Sequence, residues 1–272
     1  MRKFSKTALA AAIILLCVVL SACRGGRGER VIIAGSTSVQ PYMEILVEEY
    51  GHIDPGAEID VQGGGTSTGI SAVESGTAVI GMSSRALAPG ELELNKIELA
   101  KDGLAIIVHP ENPVDELTLA QARSIYTAEI SNWRDLGGPD ARIHIVSREE
   151  GSGTRSAFEG LIMKDERITP KAIVQDSNGA VRQLISGDRN AIGFISMGLT
   201  DPTVKALRID GAAPTCVNIE NGTYRLYRPF LLVTNGTPEG LAAEFITYAL
   251  SKAGQDLLEI EGLIPASEGG RK

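Results

Sequence analysis

Residues 31–50, VIIAGSTSVQPYMEILVEEY, place an apolar run, a loop of small hydroxylated residues and an amphipathic segment in direct succession. Residues 31–34 are mostly β-branched, as in a buried strand. After the loop, apolar residues recur at helical spacing: Val39, Met43, Leu46, Val47 and Tyr50. The stretch therefore predicts a strand, a loop and a helix, which together form the repeating unit of α/β folds.

The same alternation continues along the chain. Further strands are predicted at 59–61, 78–82, 104–108, 143–146, 192–195 and 230–233, with helical periodicity between several of them and over 238–260. Strands that alternate with helices favour mostly parallel sheets that are flanked by helices on both faces. The predicted fold class is therefore α/β.

Two proline-containing segments interrupt this alternation and predict where the chain crosses between lobes. The first is HPENP at 109–113 and the second is YRP at 227–229, because proline excludes regular structure there. We therefore predict two α/β lobes joined by a double hinge. Lobe 1 is discontinuous and comprises residues 30–108 plus 229–272, and lobe 2 comprises residues 109–228.

The N-terminus has the pattern of a secretory signal. Residues 8–20 are apolar but too short to span a bilayer as a mature helix, and they follow three basic residues, Arg2, Lys3 and Lys6. Residues 20–23, LSAC, match the bacterial lipobox, in which the cysteine accepts a diacylglyceryl group. The sequence therefore predicts a signal peptide over 1–22 and a lipid anchor on Cys23. The alternative is an ordinary signal peptide followed by a chance cysteine.

Removal of the signal peptide would leave 250 residues, which suits one large or two medium domains. Residues 23–29 then form a lipidated N-terminus and a glycine-rich, flexible tether. The formal net charge of −8 becomes −11 without the three basic residues of the signal, which argues against nucleic acid as a partner. The same charge repels anions at long range, so an anion site in this chain has to use local dipoles in a water-poor cleft.

Four predicted loops share glycines and small hydroxylated residues. They are GSTS at 35–38, GGGTSTG at 63–69, SSR at 83–85 and SREEGSGTR at 147–155. Helix starts carry unpaired backbone N–H groups, glycine allows close approach to them, and serine and threonine hydroxyls add donors, so such loops suit an oxyanion. N-capping explains the hydroxyls of any one loop, but not the repeated glycine runs or Arg148, whose planar fork binds two oxygens.

These loops, in this order and with SNGAV at 177–181, resemble the phosphate-binding subunit of the high-affinity phosphate ABC importer. The similarity covers nearly the whole chain after the signal peptide. It implies a two-lobe, type II periplasmic-binding-protein-like fold that holds phosphate between the lobes and has no enzymatic turnover. The phosphate-binding residues that it implies are Ser36, Thr37, Ser38, Thr66, Ser67, Ser83, Ser84, Arg148, Ser152, Gly153 and Thr154.

The resemblance also implies partners and a location. It implies a monomer that delivers phosphate to the permease subunits of an ABC importer, without a cofactor. Together with the signal peptide and the lipobox, it predicts a lipid-anchored, extracytoplasmic protein of a bacterial cell membrane, in a periplasm or on the outer face of the cytoplasmic membrane.

One position departs from the family pattern. Well-known members have an aspartate at the position of Ser84, which accepts the proton of bound phosphate and repels sulfate. With serine there, the proton acceptor stays open between Glu149, Asp176 and a backbone carbonyl. For the neighbouring Arg85, a salt bridge at the cleft rim or a solvated position is favoured over a phosphate contact.

Other functions remain as alternatives. A receptor for another tetrahedral oxyanion, such as sulfate or molybdate, would use the same loops. A phosphate sensor or a phosphate-releasing enzyme belongs to a different class. Against an enzyme, no P-loop motif occurs and Ser152 lacks the Gly-x-Ser-x-Gly context. The three histidines, His52, His109 and His144, lack metal-ligand spacing, so we predict no metal site.

Overall fold

The computed structural model describes residues 30–266. The predicted signal peptide over 1–22, the predicted lipid anchor on Cys23 and the predicted tether over 23–29 lie outside these residues, as do residues 267–272. Among the helices of residues 30–266, none combines the length and the apolar composition of a membrane-spanning segment.

Strands and helices alternate along the described chain, as the hydrophobic periodicity predicts. The first elements are β1 (Arg30–Gly35), α1 (Gln40–Ile53), β2 (Glu58–Gly63), α2 (Thr66–Glu74), β3 (Ile80–Ser83), a 3₁₀ turn (Pro89–Glu91), β4 (Asn95–Val108) and β5 (Glu116–Leu117). Then come α3 (Leu119–Tyr126), a 3₁₀ turn (Trp133–Leu136), β6 (His144–Arg148), α4 (Gly153–Phe158) with a π-helix (Glu159–Met163), β7 (Ile173–Gln175), α5 (Asn178–Gly187) and β8 (Ala191–Ser196). The last are a 3₁₀ turn (Met197–Leu199), β9 (Lys205–Ala206), β10 (Arg208–Ile209), α6 (Cys216–Glu220), β11 (Tyr227–Thr234), α7 (Gly240–Leu250), α8 (Lys252–Ile260) and β12 (Ile264–Pro265).

The strands follow the order β2-β1-β3-β11-β4-β8-β6-β7. At one side β1 pairs in parallel with β2 and β3, and at the other β6 pairs in parallel with β7 and β8. The central strands are antiparallel, because β11 runs against both β3 and β4, and β4 runs against β8. The α/β class is confirmed, and the sheet is mixed, with parallel pairs in the outer strands and antiparallel pairs in the central ones.

The sheet around β1 is covered on both faces. Val31 and Ile33 of β1 are buried in a cluster with residues of α1, α7 and α8. The alternate residues, Ile32 and Ala34, contact a second cluster that includes Ile70 and Val73 of α2. This two-residue alternation between faces is what a parallel sheet flanked by helices requires.

A third hydrophobic cluster defines the other lobe. It contains residues 104–108 of β4 together with buried side chains of α3, α5, β6 and β8. Strand β4 therefore passes from one core to the other between Gly103 and Leu104, where its partner changes from β11 to β8. The predicted division into residues 30–108 plus 229–272 and residues 109–228 stays a prediction, but these cores join within the strand rather than at the prolines of residues 109–113.

The C-terminal segment, predicted as helical over 238–260, forms two helices. The first, α7, ends at Leu250, and Ser251 is extended. The Ser251 hydroxyl then accepts a hydrogen bond from the backbone N–H of Gly254 at 3.3 Å and so caps α8. The break lets both helices cover the same face of the β1 sheet.

A glycine contact fixes α2 against the end of β1. A Cβ atom added to Gly69 would lie 2.4 Å from the carbonyl oxygen of Ala34 and 2.6 Å from the Cα of Gly35. Both distances are shorter than any real Cβ contact, and the obstacles are backbone atoms that cannot rotate away. The absence of a side chain at Gly69 therefore sets how closely the loops after β1 and β2 approach each other.

We expect Gly69→Ala to lower the free energy of unfolding by about 1–3 kcal/mol, because the added methyl group overpacks this contact. The matched control is Gly51→Ala in α1, where an added Cβ meets nothing within 4 Å. That change should raise stability by about 0.5–1 kcal/mol through helix propensity. Urea denaturation measures both, and equal stability of the two variants would contradict the packing role of Gly69.

Candidate anion-binding site

The loop between β1 and α1 presents two buried hydroxyls. Ser36 and Ser38 are 2 % and 1 % exposed. The backbone N–H of Ser36 donates to the carbonyl of Met82 in β3 at 2.9 Å, and the backbone N–H of Ser38 donates to the Ser36 hydroxyl at 3.2 Å. The chain is thus held in a tight turn that directs both side chains inward.

The glycine-rich loop after β2 is hydrogen-bonded to the first loop. The backbone N–H groups of Gly64 and Gly65 both donate to the carbonyl of Gly35, at 2.9 and 3.0 Å. Gly65 has a φ of 91°, which favours glycine and lets the chain turn directly into α2. Thr66, the first residue of α2, is consequently fully buried beside the first loop.

The loop after β3 completes a group of hydroxyls within the same lobe. The fully buried Ser84 accepts a hydrogen bond from the Ser36 hydroxyl at 2.8 Å. Its backbone N–H donates to the Thr66 hydroxyl at 3.1 Å. Ser36, Thr66 and Ser84, which lie on three separate loops of the sequence, therefore form one buried cluster at the carboxyl ends of β1, β2 and β3.

The loop after β6 brings the other lobe against this cluster. The hydroxyl oxygens of Thr154 and Ser38 lie 2.8 Å apart, and the backbone N–H of Ser67 donates to the carbonyl of Gly151 at 3.1 Å. Ser152 caps α4, since its hydroxyl accepts from the backbone N–H of Arg155 at 3.2 Å. The two lobes are thus in a closed arrangement.

Arg148, at the end of β6, is 1 % exposed and spans the two lobes. Its Nε and Nη2 atoms donate to the carboxylate of Glu149 at 2.8 and 2.9 Å. Nη2 also donates to the Thr37 hydroxyl at 3.2 Å and to the carbonyl of Asp176 at 3.1 Å. The remaining group, Nη1, is buried without a hydrogen-bond partner.

Not every residue implied by the resemblance reaches the hydroxyl cluster. The Ser83 hydroxyl donates to the carbonyl of Arg85 at 2.8 Å, because alternation along β3 directs Ser83 and Ser84 to opposite sides. Ser67 is half-buried at the contact with Gly151. Arg85 forms a bidentate ion pair with Glu91, at 2.7 and 2.8 Å, which lies within lobe 1 rather than between the lobes.

Three residues of the cluster were missed by sequence reasoning. Asn178, at the start of α5, donates from Nδ2 to the Ser38 hydroxyl at 2.9 Å and accepts at Oδ1 from the backbone N–H of Ser196 at 3.2 Å. Arg228 donates from Nη2 to the same Ser38 hydroxyl at 3.1 Å and is paired with Asp102. SNGAV at 177–181 was a signal for Asn178, whereas Asp102 and Arg228 are 126 residues apart and share no local motif.

Two buried arginines beside the cluster are each paired with a carboxylate, Arg148 with Glu149 and Arg228 with Asp102. Burial raises the pKa of Asp102, and the Arg228 guanidinium and the Ser196 hydroxyl oppose that rise. Within residues 30–266, no carboxylate accepts a hydrogen bond from the hydroxyls of Ser38, Thr66, Ser84 or Thr154. No group of three or more metal-ligating His, Cys, Asp or Glu side chains occurs in this part of the chain either.

The arrangement is chemically a set of hydrogen-bond donors for a small oxyanion. The hydroxyls come from both lobes, the guanidinium groups of Arg148 and Arg228 each have a buried Nη1 atom without an acceptor, and burial excludes bulk water. A buried donor without an acceptor costs about 1–3 kcal/mol, and more when it is charged. An anion that accepts from these groups would remove that cost, and it would do so only when both lobes are closed.

Comparison with known proteins identifies the family. Residues 22–253 match the model of a PBP superfamily domain. The chain is 34 % identical over 242 residues to the phosphate-binding protein PstS of Bacillus subtilis (strain 168), covering 87 % of this chain and 80 % of the relative. The chain belongs to the PstS family of phosphate-binding proteins. A second relative, PstS of Pseudomonas aeruginosa (strain PAO1), is 30 % identical, with 85 % of this chain and 81 % of the relative covered.

Solved structures of similar proteins agree with this family. An X-ray structure, with bound phosphate, of a substrate-binding protein assigned to a phosphate ABC transporter of Clostridium perfringens has a TM-score of 0.85 and 41 % identity, covering 88 % of this chain and 100 % of the other. A phosphate transport receptor of ABC type from Vibrio cholerae has a TM-score of 0.73 and 39 % identity, with 87 % and 100 % covered. The two-lobe type II fold expected of a PstS-like protein is confirmed.

The contact of Gly153 with lobe 1 gives a test of closure. A Cβ atom added to Gly153 would lie 2.4 Å from the hydroxyl oxygens of both Ser84 and Thr66. We therefore expect Gly153→Ala to destabilise the closed form by about 1–3 kcal/mol and to weaken binding of inorganic phosphate about fivefold to a hundredfold in calorimetry.

The matched control is Gly160→Ala, in the π-helix that follows α4, where an added Cβ meets nothing within 4 Å. Its phosphate affinity should equal that of the unmodified protein. Unchanged affinity in Gly153→Ala would show that lobe 2 does not have to approach Ser84 and Thr66 for binding.

Proposed function

We propose that this protein captures inorganic phosphate in the cleft between its lobes and delivers it to an ABC-type phosphate importer. The observation that carries the proposal is the contact between buried hydroxyls of the two lobes, Ser38 and Thr154, next to Arg148, which contacts the Thr37 hydroxyl and whose Nη1 atom has no acceptor. Membership of the PstS family supports phosphate as the ligand. The binding residues are Ser36, Thr37, Ser38, Thr66, Ser84, Arg148, Gly153 and Thr154, with Ser152 as the helix cap behind them.

The site binds an anion without a net positive charge. The formal charge of the whole chain is −8, and the charge of Arg148 is balanced by Glu149. Stabilisation therefore comes from fixed N–H and O–H dipoles in a desolvated cluster, where they act more strongly than in water. Because the donors come from both lobes, the anion binds the closed form more strongly than an open form and shifts the population toward closure.

The proposal extends to delivery, anchoring and oligomeric state, for which the family and the sequence give support. The closed form docks on permease subunits, which release the anion into the importer, and no enzymatic turnover is involved. Lipidation at Cys23 holds a monomer at the extracytoplasmic face of the membrane. A diacylated anchor is stable because each buried methylene contributes about 0.8 kcal/mol.

A receptor for another tetrahedral oxyanion is the second candidate. It is favoured by one observation: in residues 30–266 no carboxylate accepts a hydrogen bond from the hydroxyl cluster, and Ser84 stands where an acidic residue would repel a fully deprotonated anion. Both oxygens of Glu149 already accept from Arg148. Sulfate therefore meets donors but no repelling carboxylate in direct contact.

Titration of the purified protein by calorimetry with phosphate, arsenate and sulfate separates these candidates. We expect phosphate and arsenate, which share geometry and protonation, to bind most tightly, and sulfate to bind measurably but more weakly. Tighter binding of sulfate than of phosphate would favour the second candidate. Absence of binding by all three anions would overturn the proposed function.

Replacement of Arg148 tests the residue on which the proposal depends. Loss of a buried, hydrogen-bonded charge costs about 2–5 kcal/mol, so Arg148→Ala should weaken phosphate binding by at least about thirtyfold. Arg134→Ala is the control, because Arg134 is an exposed arginine of lobe 2 paired with Asp140. Circular dichroism should show the same fold for both variants, and unchanged affinity in Arg148→Ala would remove this residue from the site.

A further inference from the structure

A buried ion pair lies at the point where the two lobes meet. Asp102 of β4 and Arg228 of β11 are direct cross-strand neighbours, and they are 0 % and 3 % exposed. Ser196, at the end of β8 in the other lobe, donates to the Asp102 carboxylate at 2.7 Å. A buried ion pair is a poor source of stability compared with apolar residues of the same size. Its place beside the hydroxyl cluster therefore calls for a functional explanation.

The orientation of the Arg228 guanidinium is fixed. Its Nε and Nη2 atoms donate to Asp102 Oδ2 at 3.0 and 2.9 Å, and the guanidinium carbon lies 5.4 Å from the centre of the Phe230 ring. The second N–H of Nη2 donates to the Ser38 hydroxyl at 3.1 Å. Because the guanidinium is planar, the edge formed by Nη1 and Nη2 is the one that meets Ser38.

Arg228 repeats the arrangement found at Arg148. In both residues, Nε and Nη2 donate to a carboxylate, Nη2 also donates to a hydroxyl of the first loop, and Nη1 is buried without a partner. Within residues 30–266, these two Nη1 atoms are two of the three buried side-chain polar atoms that lack a hydrogen bond. The two arginines therefore contact the buried hydroxyls of the cleft in the same way.

Arg228 also determines what the Ser38 hydroxyl can do. A hydroxyl has two acceptor lone pairs and one O–H donor. In Ser38, N–H groups of Arg228 and Asn178 occupy the acceptor positions, at 3.1 and 2.9 Å. The O–H group is left to donate, and the Thr154 hydroxyl oxygen lies 2.8 Å away on the side of lobe 2. Ser38 is thus held as a donor between the lobes.

We infer that Arg228 is a second arginine of the anion site, oriented by Asp102, which fixes Ser38 as a donor and supplies an additional guanidinium N–H to the bound oxyanion. This inference rests on the function proposed above. It assigns to Asp102 a positioning role with an electrostatic cost, because the carboxylate lies two hydrogen bonds from the Ser38 hydroxyl and repels an anion there.

The test uses four variants: Arg228→Gln, Arg228→Lys, Asp102→Asn and the double variant Asp102→Asn/Arg228→Gln. Phosphate affinity is measured by calorimetry, and stability is measured by chemical denaturation without anion. Hydrogen bonds to charged groups are strong, so we expect Arg228→Gln to lose phosphate affinity by at least about tenfold. Arg228→Lys keeps the charge opposite Asp102, but lysine has no planar fork that could also reach Ser38. This variant should therefore bind phosphate more weakly than the unmodified protein.

Asp102→Asn separates an anion-binding role from a purely structural one. The asparagine amide oxygen can still accept from Nε and Nη2 and keep the orientation of Arg228, but the change leaves the Arg228 charge buried without its counter-ion and removes a repelling carboxylate. The variant should be less stable without anion, bind phosphate more tightly than the unmodified protein, and gain a larger increase in Tm from phosphate. A structural pair would instead lose affinity in parallel in Asp102→Asn and Arg228→Gln.

The double variant gives the decisive comparison. Asparagine and glutamine can hydrogen-bond across the strands without a buried charge, so the double variant should be more stable than Arg228→Gln. Its phosphate affinity should still be at least about tenfold weaker than that of the unmodified protein. Full recovery of affinity, or loss of affinity in Asp102→Asn, would overturn the role of Arg228 while leaving the proposed function intact. Failure of the unmodified protein to bind phosphate, arsenate and sulfate would overturn both.

Discussion

The main physical constraint on the cleft is that it buries hydrogen-bond donors without acceptors. Arg148 and Arg228 each give one edge of the guanidinium to a carboxylate and leave Nη1 buried and unpaired within the described chain. Such groups are costly in a desolvated interior. Under the proposed function, contact between the lobes and binding of an oxyanion are coupled energetically, because the unpaired donors come from both sides of the cleft.

The rest of the fold positions these donors through backbone contacts. Gly64 and Gly65 both donate to the carbonyl of Gly35, and Gly69 packs directly on the same residue. Three loops are thereby held together at the carboxyl ends of β1, β2 and β3, which is where α/β sheets present ligand-binding loops. The glycines in these loops let the chain segments approach one another closely, and the serine and threonine hydroxyls beside them provide hydrogen-bond donors.

Local patterns allowed much of this to be predicted from the sequence. Residues 31–50 predicted β1, the first loop and α1 because strand and helix periodicities are short-range signals. The cross-strand pair of Asp102 and Arg228 could not be found in this way, since its partners are 126 residues apart and become neighbours only through sheet topology. The resemblance implies both Ser83 and Ser84, but side chains of neighbouring strand residues point to opposite sides, and the Ser83 hydroxyl donates to the carbonyl of Arg85 instead.

The prolines at 109–113 set the predicted lobe boundary after Val108, whereas the hydrophobic core changes within β4, between Gly103 and Leu104. The alternation of polar and apolar residues in NKIELAK, residues 95–101, was an available strand signal that extends β4 toward the N-terminus. A strand of 14 residues is long for a globular protein. Its length is explained by its membership of both lobes, which no local pattern reveals.

This shared strand limits how the molecule opens. Residues 95–103 of β4 pair with β11, and residues 104–108 pair with β8, so each half of the protein is hydrogen-bonded to the same continuous backbone. Separation of the halves by sliding would break one of these ladders. Opening therefore takes place by bending and twisting of β4 near Gly103 and of the adjacent β11. The stiffness of these two strands limits how far the cleft can open.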